Sequence, residues 1–533
     1  MNVLDSTSPL VTLRLLQQLK DCGKRFKIAD STGAKLTGID LLTRILALRS
    51  CLERDVLSHD EQQVGIFLPP TVVSTAVNLA ISLTGRVAVN LNYTVSSSVL
   101  KQCSELAGLK QVITSRKFLD KVGLDVGVPT VFMEDLKNKV TVGDKLFAYL
   151  NARFRSATSL HSWLGLDSKT HNDPLTIIFT SGSTGQPKGV VLTLGNIESN
   201  VDAILQAINL SERDVVLGVL PFFHSFGYTV AMWTAMALPC SAVYHFSPLE
   251  ARPIGKLAGE FGATVLLATP TFLRTYIRRV EKEQFSKLDT VIVGAEKMPI
   301  PLAEEFEQTF GVRPIEGYGT TELSPLVSVN VPPCRGGNAQ NYREGTIGKP
   351  VVRVETRIVG IESDQPLPVG ETGLLEVRGP NVMLGYYKRP DLTAQVMHDD
   401  WYRTGDVGFI DKDGFVTLTG RLSRFSKIGG EMVPHILIEQ AMTDIVGMDD
   451  QGLVRVAVTS VPDPKRGEKL IVLHTKLPVE KPELLRQLAA TGLPNIYLPG
   501  EDGFVEVEQI PMLGSGKLDL KGIKETAEKA FSN

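Results

Sequence analysis

The run Thr180-Ser181-Gly182-Ser183-Thr184-Gly185-Gln186-Pro187-Lys188-Gly189 constrains this chain more than any other stretch. Apolar, β-branched Leu175-Thr-Ile-Ile-Phe179 precedes it and Val190-Val-Leu-Thr193 follows it. Both flanks read as strands. A strand therefore feeds a hydroxyl-rich, glycine-rich loop that ends in a lysine. Glycines let the backbone come close to a ligand. Exposed N–H groups, the hydroxyls of Thr180, Ser181, Ser183 and Thr184, and the Lys188 ammonium make a cradle for phosphate oxygens. Pro187 rather than glycine precedes Lys188, so this is not the GxxxxGK[ST] loop. A nucleoside triphosphate is the expected guest, and a solvated hairpin is the plain alternative for the loop taken alone.

The surroundings alternate strands with helices. Val64-Gly-Ile-Phe-Leu68, Val87-Ala-Val-Asn-Leu91 and Gln111-Val-Ile-Thr114 read as strands, with helices over 72–83 and 96–107. The pattern recurs in strands at 215–220, 242–244, 264–268 and 290–293, with helices over 251–261 and 302–310 between them. This alternation predicts a parallel sheet with helices on its faces, built twice. From Glu355 to Thr419 the chain shifts to short strands with Gly and Asp turns, a β-rich subdomain. Beyond Gly420 a further helix (436–444) and strands (454–459, 469–475) form a small unit of their own. The expected fold is α/β: a body of two α/β subdomains and a β-rich subdomain over 1–420, then a small α+β domain over 421–533.

Bulk properties exclude several classes. Hydrophobic content of 43% and charged content of 22% are those of a globular protein. A net charge of −3 provides no basic field, so no nucleic-acid partner is expected. Cys22, Cys51, Cys103, Cys240 and Cys334 are scattered without CxxC spacing, which argues against a zinc site or disulfide framework. No apolar run reaches the length of a membrane span and no signal pattern opens the chain, so a cytoplasmic protein is expected.

Further motifs follow the loop in order: Glu316-Gly-Tyr-Gly-Thr-Thr-Glu322, Tyr402-Arg-Thr-Gly-Asp406, Gly420-Arg421 and Leu513-Gly-Ser-Gly-Lys517. Their order and spacing resemble the adenylate-forming superfamily of acyl-CoA synthetases, luciferases and peptide-synthetase adenylation domains. The resemblance runs from about Val64 to Asp519. It implies activation of a carboxylate by ATP to an acyl-adenylate, followed by transfer to a thiol. Positive charge at the α-phosphate and a metal ion, Mg2+, are then needed.

The resemblance implies the following roles. Lys517, on its glycine loop, brings the charge to carboxylate and α-phosphate when the small domain closes. Glu322 and Thr184 attend Mg2+, a carboxylate facing phosphates being suited to that ion. Tyr318 lies against the adenine face, and Gly294-Ala295-Glu296 lines the adenine pocket beside Gly317, Gly319, Thr320 and Thr321. Asp406 accepts from the ribose hydroxyls and Arg421 adds a donor. Arg424 is the hinge pivot, where relatives carry Asp or Lys, and Lys427 and Glu431 follow it. His224, within Leu220-Pro-Phe-Phe-His-Ser-Phe-Gly227, borders the carboxylate pocket; a core histidine is the plain alternative. Phe222, Phe223 and Phe226 suggest an apolar acyl pocket.

Finer features, among them Phe223-His-Ser-Phe-Gly227 and Arg424-Phe-Ser-Lys-Ile-Gly-Gly-Glu-Met-Val433, look like the acyl-(acyl-carrier-protein) synthetase half of bacterial 2-acylglycerophosphoethanolamine acyltransferase. This predicts a long-chain fatty acid as substrate and the phosphopantetheine thiol of acyl carrier protein as acceptor. A separate lysophospholipid acyltransferase is then the expected partner. A long-chain fatty acyl-CoA ligase, with CoA as acceptor, is the alternative, and an inactive nucleotide-binding scaffold is a third reading. Asp144–Gly165 interleaves Leu146, Phe147, Tyr149, Leu150, Phe154, Leu160, Trp163 and Leu164 with Lys145, Arg153 and Arg155. It reads either as peripheral contact with the inner face of the membrane or as a helix packed on its own core.

Overall fold

The computed structural model describes residues 9–181, 186–449, 453–512 and 518–531. Gly182, Ser183, Thr184 and Gly185 of the first motif and Leu513–Lys517 of the last lie outside them. The chain divides into two compact units, each discontinuous in sequence. The larger takes residues 1–356, 377–402 and 413–415, and the smaller takes 357–376, 403–412 and 416–533.

The larger unit holds two sheets. In the seven-stranded sheet, Pro174–Ser181, Val87–Asn90, Gln63–Phe67, Val112–Thr114 and Thr130–Phe132 run parallel in that spatial order. Pro187–Thr193 adds antiparallel to Pro174–Ser181, and Gly385–Tyr386 adds antiparallel to Pro187–Thr193 at the edge. The expected parallel sheet is therefore a mixed one. The link from Ser181 to Pro187 is far too short for a crossover, so the two strands must fold back as a hairpin.

The nine-stranded sheet has a parallel centre: Ile315–Gly319, Thr290–Val293, Val265–Ala268, Val215–Gly218, Ser241–Tyr244 and Phe26–Asp30. Helices Ala251–Phe261, Pro270–Arg279 and Ile300–Phe310 lie between its strands in sequence. Antiparallel strands close its ends: Lys35–Thr37 at one, Leu326–Val329 and Lys349–Pro350 at the other. Strand Phe26–Asp30 was not expected from the sequence. Its Lys27 is fully buried and donates from Nζ to the carbonyls of Leu238 and Cys240, both at 2.7 Å. Backbone oxygens thus satisfy a cation that makes the strand look unlike a core strand.

Helix starts follow local chemistry. Thr71 accepts from the Ser74 N–H at the head of Val72–Ser82, and Thr37 forms a capping box with Asp40 at the head of Gly38–Asp55. Residues 142–163 form two helices, Val142–Phe154 and Ala157–Trp163.

In the smaller unit, Glu431–Pro434, Phe425–Ile428, Gly467–His474 and Val456–Asp463 form an antiparallel sheet, and Phe504–Glu506 joins Gly467–His474 in parallel. Helix His435–Val446 packs through Ile438, Met442 and Val446, and helix Leu520–Phe531 through Ile523 and Ala527. A separate apolar cluster joins Val359, Leu374 and Val407, with Ile361 and Phe425 packed on it.

Candidate active site

The two strands that flank the glycine-rich stretch are tied together. Thr180 stands opposite Lys188 and Ser181 opposite Pro187. Gly189 is needed here, because a Cβ at this position would sit 2.9 Å from Ile177 Cγ2. On the far side of Pro187–Thr193, Gly385 stands opposite Val191 and Tyr386 opposite Val190. The Asn196 side-chain amide donates to the carbonyls of Pro380 and Val382, both at 2.8 Å, and fastens this stretch to helix Leu194–Ile208.

This pairing brings two sequence-predicted residues onto one unpredicted side chain. Lys188 Nζ lies 5.2 Å from the centre of the Tyr386 ring. The Tyr386 hydroxyl donates to Glu322 Oε1 at 2.8 Å. The Met383 N–H also donates to the Glu322 carbonyl at 2.8 Å, which fixes the backbone beneath that carboxylate. Lys188 and Glu322 are thus gathered about one buried tyrosine. The sequence signal was the aromatic pair Tyr386-Tyr387 after Gly385, which carries no chemistry by itself.

Glu322 follows a second close-packed stretch. Strand Ile315–Gly319 ends in a turn over Thr321–Leu323. A Cβ on Gly319 would lie 1.7 Å from the Pro325 carbonyl oxygen, so only glycine fits. The Thr320 hydroxyl is buried without a protein partner. Thr321 shares a hydrogen bond of 3.4 Å with Ser225.

Gly294, Gly317 and Phe226 meet. A Cβ on Gly294 would come within 3.1 Å of Phe226 Cε1 and 3.4 Å of the Gly317 carbonyl oxygen. Ala295 takes a positive φ of 68°, and the Glu296 carboxylate accepts from the Thr271 hydroxyl at 2.8 Å. Tyr318 is half-buried on the same strand. Burial pushes the carboxyl of neighbouring Glu316 up, although the Met298 N–H donates to it at 3.0 Å.

The three phenylalanines differ in their surroundings. Phe222 is buried edge-on against Tyr244 at 5.4 Å between ring centres, and Phe223 is buried edge-on against Tyr93 at 4.7 Å. Phe226 alone is half-buried, on the Gly294 side. His224 stacks obliquely on Phe223 at 4.6 Å, just before the π-helical turn Phe226–Trp233. Such turns insert a residue and re-aim the side chains around them.

Asp406, Arg421 and Arg424 belong to the smaller unit. Asp406 stands opposite Arg421 across an antiparallel pair, with Asp406 Oδ1 3.6 Å from Arg421 Nε. Arg424 is buried and ion-paired with Glu439, which also accepts from the Val458 N–H at 2.7 Å. Lys427 pairs with Glu362 at 2.6 Å.

Among the described residues no three His, Cys, Asp or Glu side chains gather as a metal cluster. A single carboxylate such as Glu322 still fits Mg2+, which takes one or two protein carboxylates and completes its shell with phosphate oxygens and water.

Residues 17–387 match the AMP-binding enzyme family, and the chain belongs to that family. It is an ATP-dependent, AMP-forming acid–thiol ligase of the acyl-CoA ligase type. A feruloyl-CoA synthase from an Amycolatopsis species is 31% identical over 67% of this chain and 70% of its own length. A long-chain-fatty-acid–CoA ligase from Bacillus subtilis is 26% identical over 96% of this chain and 94% of its own. The crystal structure of ATP-bound MatB from Rhodopseudomonas palustris superimposes with a TM-score of 0.80 at 24% identity, covering 97% of this chain and 99% of that one. At that identity it speaks for the fold alone: a large α/β body with β-rich parts and a small C-terminal domain.

Proposed function

We propose that this chain activates long-chain fatty acids and transfers them to CoA. The observation that carries this is the likeness, along nearly the whole chain, to a ligase named for that acid class and acceptor. The gathering of Lys188 and Glu322 about Tyr386 supports the ATP-dependent half of the reaction.

In the first step a carboxylate oxygen bonds to the α-phosphorus of ATP and pyrophosphate leaves. In the second, the CoA thiol loses its proton, its sulfur bonds to the acyl carbon, and AMP leaves. The hydroxyls and N–H groups of Thr180–Gly185, with Lys188, hold the phosphates that depart. Glu322 and Thr184 would hold Mg2+, which would supply neutralisation of phosphate charge. Tyr318 covers one face of adenine, and the backbone at Gly294, Ala295 and Glu296 borders its edge. Gly317, Gly319, Thr320 and Thr321 shape the floor, where the buried Thr320 hydroxyl still lacks a protein partner. Asp406 takes the ribose hydroxyls, aided by Arg421. His224 borders the carboxylate with Phe226 beside it. Lys517 brings positive charge to the α-phosphate, and the segment 421–533 swings about Arg424 between the two steps.

Acyl carrier protein is the second acceptor to be tested, on the strength of the branch-specific stretches around His224 and Arg424; a separate acyltransferase would then use the product. Palmitate and ATP should be supplied with CoA or with carrier protein in parallel, reading AMP and thioester. Palmitoyl-CoA and AMP in equal amounts are expected. Thioester on carrier protein alone would transfer the reading to that acceptor, and no AMP with either would end it.

A further inference from the structure

The helix Val142–Phe154 is built inside out. A surface helix ordinarily turns its large apolar side chains to the core. Here the inward residues are small or polar: Ala148, Asn151 and Ala152. Lys20 Nζ donates to the Ala152 carbonyl at 2.7 Å, and Arg54 pairs with Asp144 at 2.7 Å, which fixes that side inward. The large residues face out. Val142 is 81% exposed, Leu146 58%, Phe147 50% and Phe154 74%, with Tyr149 and Leu150 also exposed. At 3.6 residues per turn they cover an arc of roughly 160°. Trp163 of the following helix extends the patch. Its ring lies 5.6 Å from Phe147 and 5.4 Å from the Arg155 guanidinium. Leu160 of that second helix and Leu164 just after it are buried, so the core has its own apolar supply and does not need the outer face.

We infer that this face docks on an anionic lipid bilayer. Charge selects that occupant. Lys145 and Arg153 lie on the helix itself, Arg155 directly follows it, and Lys137 and Lys139 directly precede it. Asp144 is the one acidic residue between Leu136 and Leu166, and it is paired with Arg54, which it shares with Asp55, so cations still outnumber carboxylates along this stretch. Aromatic and leucine side chains bordered by lysine and arginine suit the boundary between headgroups and acyl chains, to a depth of about 5–10 Å. Each cation adds attraction to an anionic surface. A two-fold contact between copies is disfavoured, because it would set Arg153 and Lys145 against the same cations of a second copy. No described helix is long and apolar enough to cross a membrane, so the contact is peripheral.

Co-sedimentation of the full chain with vesicles tests this without ATP, acid or CoA, so its outcome is separate from that of the ligase reading. Vesicles of phosphatidylcholine alone are compared with vesicles containing phosphatidylglycerol, at low and high salt. Binding to the anionic vesicles at low salt is expected, with a marked decrease at high salt. The double variant L146S/F154S should bind about tenfold more weakly or worse. R153E should lose the preference for phosphatidylglycerol. Both Leu146 and Phe154 are exposed, so an unchanged thermal midpoint shows that the fold is intact. Wild-type protein that ignores anionic vesicles at low salt would overturn the inference. So would a double variant that binds like wild type, or a dimer that this variant converts to monomer.

Discussion

Tyr386→Phe isolates one atom of the site. The phenol oxygen lies 2.8 Å from Glu322 Oε1, while the ring lies 5.2 Å from Lys188 Nζ. Phenylalanine keeps the ring and its packing and removes only the donor. A hydrogen bond to a charged acceptor contributes about 1.5–3 kcal/mol. Glu322 is half-buried, so water partly replaces the lost donor and the lower end applies, near tenfold. Loss of a group that orients a metal-binding carboxylate costs roughly 10–100-fold in metal affinity or activity, which overlaps that figure. The assay is ATP–pyrophosphate exchange as a function of Mg2+ concentration. Y386F should need about tenfold more Mg2+ or run about tenfold slower, with a wild-type thermal midpoint. Tyr386→Leu also removes the cation–π contact with Lys188, about 0.5–1 kcal/mol, and should further raise KM for ATP. If Y386F and wild type superimpose across the Mg2+ range, the tyrosine does not position Glu322 and the cluster is mere packing.

Lys517→Ala should abolish acyl-adenylate formation yet largely preserve thioester formation from a supplied acyl-adenylate; equal loss in both half-reactions would make the lysine structural. Asp406→Ala should weaken ATP binding by calorimetry and slow adenylation, because the ribose hydroxyls lose a charged acceptor; unchanged affinity would refute that assignment. Burial lowers the His435 imidazole from 6.5 to about 3, so it stays neutral in the folded protein while the unfolded chain takes up its proton. Its contribution is therefore fully present above about pH 6.5 and lost as pH falls towards 3. His435→Gln should flatten the decline in thermal midpoint over that window, and an unchanged slope would show that other groups set it.

The sequence made the central strands of the body legible because they are continuous apolar runs, such as Val265–Ala268 and Thr290–Val293, buried on both faces. The same logic hid Phe26–Asp30, whose buried lysine and aspartate break the run. The two strands beside the glycine-rich loop are legible as apolar runs, but their antiparallel pairing is not. Their edge partner Gly385–Tyr386 is not legible either, since two residues carry no periodicity and pair with a strand far back in the chain. Tyr386 was missed for that reason. Motif spacing named Lys188 and Glu322 but could not say that one ring would lie against both. Nearness in sequence links Phe222, Phe223 and Phe226, but it does not reveal that the first two pack edge-on against Tyr244 and Tyr93. Helical periodicity marked 142–163 as amphipathic yet is silent on which face looks inward, and small Ala148 and Ala152 settled that.

The interleaving of the two units bears on how far this enzyme is modular. The chain passes from one unit to the other after Thr356, Glu376, Tyr402, Lys412 and Phe415. No single cut releases the smaller unit whole. A fragment begun at Arg421 would carry Phe425 but leave behind Val359, Leu374 and Val407, the side chains it packs with. In such a fragment the half-buried Phe425 loses that cover, while the apolar clusters about Ile438 and Ile523 stay whole. Exchange of C-terminal segments between related ligases at one crossover would likewise set a foreign residue at Phe425 against Val359, Leu374 and Val407. A successful graft has to carry the Arg357–Glu376 and Arg403–Lys412 stretches as well, so recombination in this architecture is a several-point exchange.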